Sequence, residues 1–198
     1  FTKDLQMIVG VNGRWTEQRQ PREDFMWTYK TLLVNERGVG PFAIDENGNE
    51  IPGHYSYIQP EGKNAAALVD PDGDGYRRTR ALTYSASFEL KYKAPWLKGL
   101  TLGAVASFDG NQKNYDTLQK SYQLYDYYTD SKSSVFGGDN YNTNITLYQK
   151  LYGRLQANYA HKWGEHNLQA TAVVETSGTR TDYLAGGRQY SGIYTHDL

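Results

Sequence analysis

No cysteine occurs in the 198 residues, which removes disulfide frameworks, thiolate metal sites and thiol nucleophiles together. Long apolar runs are missing as well. The longest, Met7 to Val9 and Ala65 to Val69, fall far below the roughly 18 residues that a membrane-spanning helix requires. Charge of one sign is not in excess either: 21 Lys and Arg stand against 22 Asp and Glu. The basic surface on which nucleic-acid binding depends is therefore absent, and no nucleic-acid partner is expected. The four His residues show no His-Glu-x-x-His or related spacing, no Ser stands in Gly-x-Ser-x-Gly, and no glycine-rich segment joins a strand to a helix. Without these arrangements no enzymatic activity is expected.

Abundant instead are 18 Tyr and 20 Gly, within a polar chain of mean hydropathy -0.74. Such an average suits a soluble domain. It also suits a transmembrane β-barrel, whose strands send alternate residues to lipid and to lumen.

Period two dominates the chain. The even positions Leu82, Tyr84, Ala86, Phe88, Leu90 and Tyr92 are apolar or aromatic, while Thr83, Ser85, Ser87, Glu89, Lys91 and Lys93 between them are polar. That alternation predicts a strand with one greasy face. Leu100, Leu102, Ala104, Ala106 and Phe108 continue the pattern. So do Ile145, Leu147, Leu151, Leu155, Ala157 and Tyr159, and then Leu168, Ala170, Ala172 and Val174. Near the start, Leu5, Met7, Val9, Val11 and Trp15 do the same. Five strands are predicted, at about 4–16, 81–93, 100–110, 141–163 and 167–180.

The connections alternate between short and long. Residues 94–99 and 164–166 are predicted turns, whereas 17–80, 111–140 and 181–198 are predicted long polar loops. Outer-membrane barrels show this asymmetry, with short periplasmic turns and long outer loops. In the first loop, Pro21 suits a first helical position. Glu23 and Asp24 suit the positive end of a helix dipole, and Phe25, Met26, Tyr29, Leu32 and Leu33 recur at three-to-four spacing until Gly38. A short amphipathic helix is predicted there, followed by a small hairpin turning at Asn47-Gly48.

Aromatic residues near strand ends (Tyr92, Trp96, Phe108, Tyr159 and Trp163) suit an interfacial girdle, and Glu89, Lys91, Arg154 and Glu175 suit a water-filled lumen. The fold class read from these features is all-β: part of one antiparallel up-and-down transmembrane β-barrel with long extracellular loops and one short helix. The alternative is a soluble or secreted β-sandwich whose polar face is solvated and whose Tyr-rich loops bind carbohydrate.

Three stretches carry a resemblance. They are L-T-Y-S-A-S-F-E-L-K-Y, the turn A-P-W-L-K-G-L followed by T-L-G-A-V-A-S-F-D, and the hairpin L-Y-G-R-L-Q-A-N-Y-A-H-K-W-G-E-H-N-L-Q-A. With the opening K-D-L-Q-M-I-V-G-V-N-G-R and the loop segment N-A-A-A-L-V-D-P-D-G, they resemble the barrel of SusC/RagA-type TonB-linked outer-membrane proteins of Bacteroidetes. The resemblance implies a barrel of roughly 22 strands around a plug, located in the bacterial outer membrane. It also implies import of glycans or peptides with a SusD-like surface lipoprotein, driven through TonB. The chain itself shows no plug and no TonB box, and five strands cannot close, so it is expected to be a fragment of such a barrel.

Two groups of side chains are candidates for binding. Trp27, Tyr29, Tyr122, Tyr125, Tyr127 and Tyr128 carry amphipathic rings that can stack on sugars or contact peptide; the same rings can equally pack loop against loop. Asp70, Asp72 and Asp74, in Asp70-Pro71-Asp72-Gly73-Asp74-Gly75, resemble the first half of a Ca²⁺ loop. Position twelve of that frame is Ala81 rather than Glu, and a turn with solvated acids is the other meaning of the motif. Beyond this possible Ca²⁺ no cofactor is expected.

Overall fold

The computed structural model describes residues 3–34, 38–58 and 63–190. Of these, 68% lie in strands and 8% in helices, with antiparallel sheets, which makes the chain all-β. In order the elements are β1 (Leu5–Pro21), α1 (Phe25–Leu33), β2 (Phe42–Ile44), β3 (Glu50–Ser56), α2 (Ala65–Val69), β4 (Gly75–Lys93), β5 (Leu100–Gln119), β6 (Tyr122–Tyr125), β7 (Lys132–Phe136), β8 (Asn140–Trp163) and β9 (His166–Gln189). The long strands form a sheet in the order β1-β4-β5-β8-β9, and the short ones a second sheet in the order β2-β3-β6-β7. Neither sheet is closed.

Two compact units are distinguished. The first takes in β1 as far as Thr16, Ala81–Lys113 and Ile145–Leu184. Its strands are joined at one turn by Ala94 to Gly99, where Ala94 N–H donates to Leu100 O at 3.0 Å and Leu100 N–H to Leu97 O at 3.1 Å. Gly99 has φ 98° and no room for a Cβ, which would strike the carbonyl of Ala160; glycine alone meets both conditions.

The two faces of this ladder differ in chemistry, as the alternation dictates, with Ile8, Val105 and Val173 as apolar exceptions at polar positions. Leu90, Leu102, Ala104, Leu155, Ala172 and Val174 line an open apolar trough of about 580 Å³. Glu89, Lys91, Arg154 and Asn158 line a small polar depression. On the polar residues Tyr152 Oη donates to Glu175 at 3.0 Å, and Thr171 Oγ1 donates to Asn158 at 3.0 Å. The apolar residues lack cover: Leu155 is 64% exposed, Val174 71% and Trp15 61%.

The second unit takes in Glu17–Arg80, Asn114–Asn144 and the chain from Ala185 onward. Its four-stranded sheet pairs β2 with β3 and β6 with β7 antiparallel, but β3 with β6 parallel, Tyr55 facing Leu124 and Ser56 facing Tyr125. One core joins Tyr55, Ala67, Tyr122 and Leu124, flanked by Phe42 and Phe136. A second joins Tyr76, Leu118, Tyr141 and Tyr190.

Several boundaries differ from those read along the sequence. Pro21 does not open the helix; it is the last residue of β1. Asp24 is the N-cap instead, its carboxylate accepting from Trp27 N–H at 3.0 Å, and the helix stops at Leu33 rather than near Gly38. Residues 35–37 lie outside the described ones. The hairpin between β2 and β3 does turn at Asn47-Gly48: Asp45 accepts from the N–H of Asn47 and of Asn49, and Gly48 takes φ 81°. The three predicted long loops are also shorter than expected, because β1, β5 and β9 run on to Pro21, Gln119 and Gln189 and β4 begins at Gly75. Polar residues at these ends hide the strands, since apolar alternation reports only where one face is greasy. The rest of the third loop, 191–198, lies outside the described residues.

Candidate functional site: an aromatic surface and a buried carboxylate

The Tyr-rich segment is held by the turn that follows β6. Asp126 accepts from the N–H groups of Tyr128 and Thr129 and from the Thr129 hydroxyl, at 2.9 to 3.1 Å. Donation from Thr129 holds its carboxyl below the usual range. The main chain is tied to both neighbouring elements: Tyr57 N–H donates to Tyr125 O at 2.7 Å and Ile44 N–H to Tyr127 O at 3.0 Å. On this frame the rings of Tyr127 and Tyr128 meet edge to face at 4.8 Å, and Tyr128 is 68% exposed.

Tyr125 is covered on one side by His54, their rings parallel at 4.1 Å and 4°. His54 Nδ1 lies 2.7 Å from Asp130 Oδ1, and Asp130 takes the left-handed backbone conformation, φ 53°. The sequence gives no signal for this partnership. His54 reads as an isolated loop histidine, and it reaches Tyr125 only because β3 and β6 pair in parallel across a long stretch of chain.

The six aromatic candidates thus fall in three places. Tyr125, Tyr127 and Tyr128 lie in and just after β6, Tyr125 against His54 and Tyr127 against Tyr128. Trp27 and Tyr29 stand on α1, Trp27 with the Lys30 and Lys63 ammonium groups each 4.8 Å from its ring and Tyr29 stacked on Phe25 at 5.9 Å. Tyr122 is 6% exposed and packs between Tyr55 and Phe136. Its hydroxyl is buried without a hydrogen-bond partner among the described residues and its pKa is pushed up by burial; a ligand cannot stack on it.

No protein-family model, curated protein or solved structure matches the chain. Function is therefore read from the residues and their geometry.

The acidic loop is occupied by the protein's own donors. Asp70 accepts from the Tyr55 hydroxyl at 2.6 Å and from Asp72 N–H at 2.8 Å, the Tyr55 bond chiefly lowering its pKa. Asp72 meets Lys120 Nζ at 3.0 Å. Asp74, fully buried, receives Arg22 through Nε at 2.8 Å and a terminal nitrogen at 3.0 Å. Burial nevertheless leaves the Asp74 carboxyl above its usual range, Arg22 opposing. The three side chains face three different donors, and no acidic or His cluster able to hold a metal ion is found among the described residues.

A further buried carboxylate was not anticipated. Asp116 is 1% exposed and accepts from Thr143 Oγ1 at 2.7 Å, Arg80 at 2.8 Å, Tyr141 Oη at 3.1 Å and Arg78 at 3.4 Å. Burial works to raise its pKa, but the donors from Thr143 and Arg80 outweigh it and hold the carboxyl below the usual range. A lowered folded pKa stabilises the fold above the unfolded value, near about 4, and that stability is lost as pH falls through the folded value. Asp116→Asn should therefore flatten the acid limb of the melting curve. An acid limb unchanged in the variant would refute this assignment.

Proposed function

We infer that the five-stranded ladder is part of the wall of an outer-membrane transporter of the SusC/RagA type, importing glycans or peptides with a surface lipoprotein partner and TonB. The observation that carries this reading is the uncovered apolar face. Side chains such as Leu155 and Val174 are exposed on strands of up to 24 residues, against the roughly 9–11 that a tilted crossing of the hydrocarbon layer needs. The opposite face is charged and amide-rich, as a lumen requires. No helix among the described residues is long and apolar enough to cross a membrane, which leaves strands as the only crossing elements in this reading. The open edges at β1 and β9 are then where further strands of the wall pair. A sandwich of soluble type would bury the apolar face against a second sheet.

In this role the chain is a wall and a selectivity surface rather than a catalyst. Tyr127 and Tyr128 contribute an exposed aromatic pair on a fixed turn, suited to stacking against a sugar ring or a peptide side chain. The double variant Tyr127→Ala with Tyr128→Ala should weaken retention of the transported oligosaccharide or peptide by about tenfold, measured by calorimetric titration of the purified protein. Unchanged affinity would remove these residues from the substrate surface.

A further inference from the structure

The polar face of the first unit carries cations that the fold itself does not neutralise. Lys91 and Arg154 line the small polar depression of about 140 Å³ together with Glu89, Gln156 and Asn158. A second depression, of about 390 Å³, adjoins it, Thr101 lining both, and adds Lys93 and Lys98 against Asp4. All of these residues belong to the first unit. The four cations and two carboxylates make no ion pair among the described residues. Two positive charges are therefore in surplus along the pair of depressions.

The neutral groups beside these charges narrow the chemistry of the ligand. Asn158 Oδ1 accepts from Gln156 Nε2 at 2.9 Å and from Thr171 Oγ1 at 3.0 Å. The Asn158 amide nitrogen and the Gln156 amide oxygen are left unbonded among the described residues. One is a donor and the other an acceptor, and Glu89 adds further acceptors, which is the mixture that a hydroxyl group needs. Val105, an apolar exception on this face, lines the same depression and offers a surface to the C–H groups of a ring. An inorganic anion has no use for Val105 or for free acceptors. A sugar ring that bears an acid group uses all of them, its carboxylate meeting the ammonium and guanidinium groups in charge-assisted hydrogen bonds.

The spacing of the cations adds length to the ligand. Lys91 and Lys93 stand two residues apart on one face of β4, roughly 7 Å along the strand. The first depression is smaller than the roughly 300–1,000 Å³ of a pocket for a drug-sized ligand. It takes a single ring, and the second depression continues the track with Lys93 and Lys98. Charge repeated along a track suits a chain that repeats its acid groups.

We propose that Lys91 and Arg154, with Lys93 and Lys98 beyond them, form a binding track for acidic oligosaccharides built from uronic acids. The carboxylates of the ligand lie on the cations, and its hydroxyl groups on Glu89, Gln156 and Asn158. Naming this ligand as the imported cargo rests on the transporter reading; the track itself does not.

The test uses the full chain in a neutral detergent and calorimetric titration with three probes: trigalacturonic acid, its fully methyl-esterified form and triglutamic acid. The free acid should bind about tenfold more tightly than the ester. Lys91→Gln with Arg154→Gln should abolish that preference, and Lys91→Arg with Arg154→Lys should keep part of it. Lys150→Gln with Lys162→Gln, which removes the same charge from β8 outside the two depressions, should leave it unchanged. Thermal melts check that each variant is folded.

Equal affinity for acid and ester, or a preference that survives Lys91→Gln with Arg154→Gln, would overturn the track. So would an equal loss in the Lys150 and Lys162 variant, which would reduce the effect to general attraction. Triglutamic acid binding as tightly as the sugar acid would overturn the carbohydrate ligand. Insertion into phosphatidylcholine vesicles reports separately on the wall: insertion without the acid preference counts against the track alone, and the acid preference without insertion counts against the wall alone.

Discussion

Leu155→Arg should destabilise the membrane-reconstituted protein by about 2–4 kcal/mol, while the same substitution at Gln156, the next residue of β8, should cost less than about 1 kcal/mol. Neighbouring residues on a strand point to opposite faces, so the pair compares two environments at one depth. Leu155 stands on the apolar trough beside Val174 and is 64% exposed. An Arg there is placed in hydrocarbon if lipid covers that face. Gln156 donates to Asn158 at 2.9 Å on the polar side, where an added guanidinium stays hydrated. Denaturant unfolding in vesicles, followed by tryptophan fluorescence, reads both. Similar small costs at the two positions would mean that water covers both faces, and the wall reading would fail.

The second large effect is expected at Asp74. Its carboxylate is fully buried against Arg22, whose side chain is 15% exposed. Asp74→Ala leaves that guanidinium with Glu23 alone, at 2.6 Å, and removing one partner of a buried pair costs about 3–5 kcal/mol. The lower end applies because Glu23 remains. Arg22→Met with Asp74→Leu should recover most of the loss, since a buried pair replaced by apolar residues is often neutral.

The pH dependence carries its own sign. Burial holds the Asp74 carboxyl above its usual range, Arg22 opposing. The contribution from its protonation is therefore fully present below the unfolded value and is lost as pH rises through the folded one. Asp74→Asn, which keeps the shape without the charge, should accordingly cost less than Asp74→Ala at neutral pH. Chemical denaturation of both variants at two pH values tests this. An Asn variant as damaged as the Ala variant would contradict it.

The long strands were legible where their two faces differ in chemistry. Leu82 through Tyr92 alternate without exception, and the strand is there. Its continuation back to Gly75 was not legible, because Arg78 and Arg80 replace apolar residues on the same face and the pattern dissolves. The helix was visible in Phe25, Met26, Tyr29, Leu32 and Leu33, but its start was misplaced. Pro21 suits a helix N-terminus as well as it suits a strand end, and only the Asp24 cap decides.

The short elements β6 and β7, and α2 with its Asn64 cap, were hidden in loops. They are too brief for any period to declare itself. The aromatic surface was half legible: Tyr127 and Tyr128 come together as neighbours in sequence do, whereas the His54 cover of Tyr125 comes from a distant strand. Tyr122 departs into the core because alternation in β6 turns it and Leu124 inward. Asp116 gave no signal at all, since its partners come from two other strands.

One measurement reaches the central claim most directly. The absence of native cysteine allows single Cys substitutions at each position from 150 to 157 in β8, each carrying a nitroxide label in the vesicle-reconstituted protein. Collision with oxygen, which concentrates in lipid, is compared with collision with a water-soluble nickel chelate. A wall of the kind described predicts a period of two: positions 151, 153, 155 and 157 accessible to oxygen, and 150, 152, 154 and 156 accessible to nickel. Equal nickel access at all eight positions would contradict it.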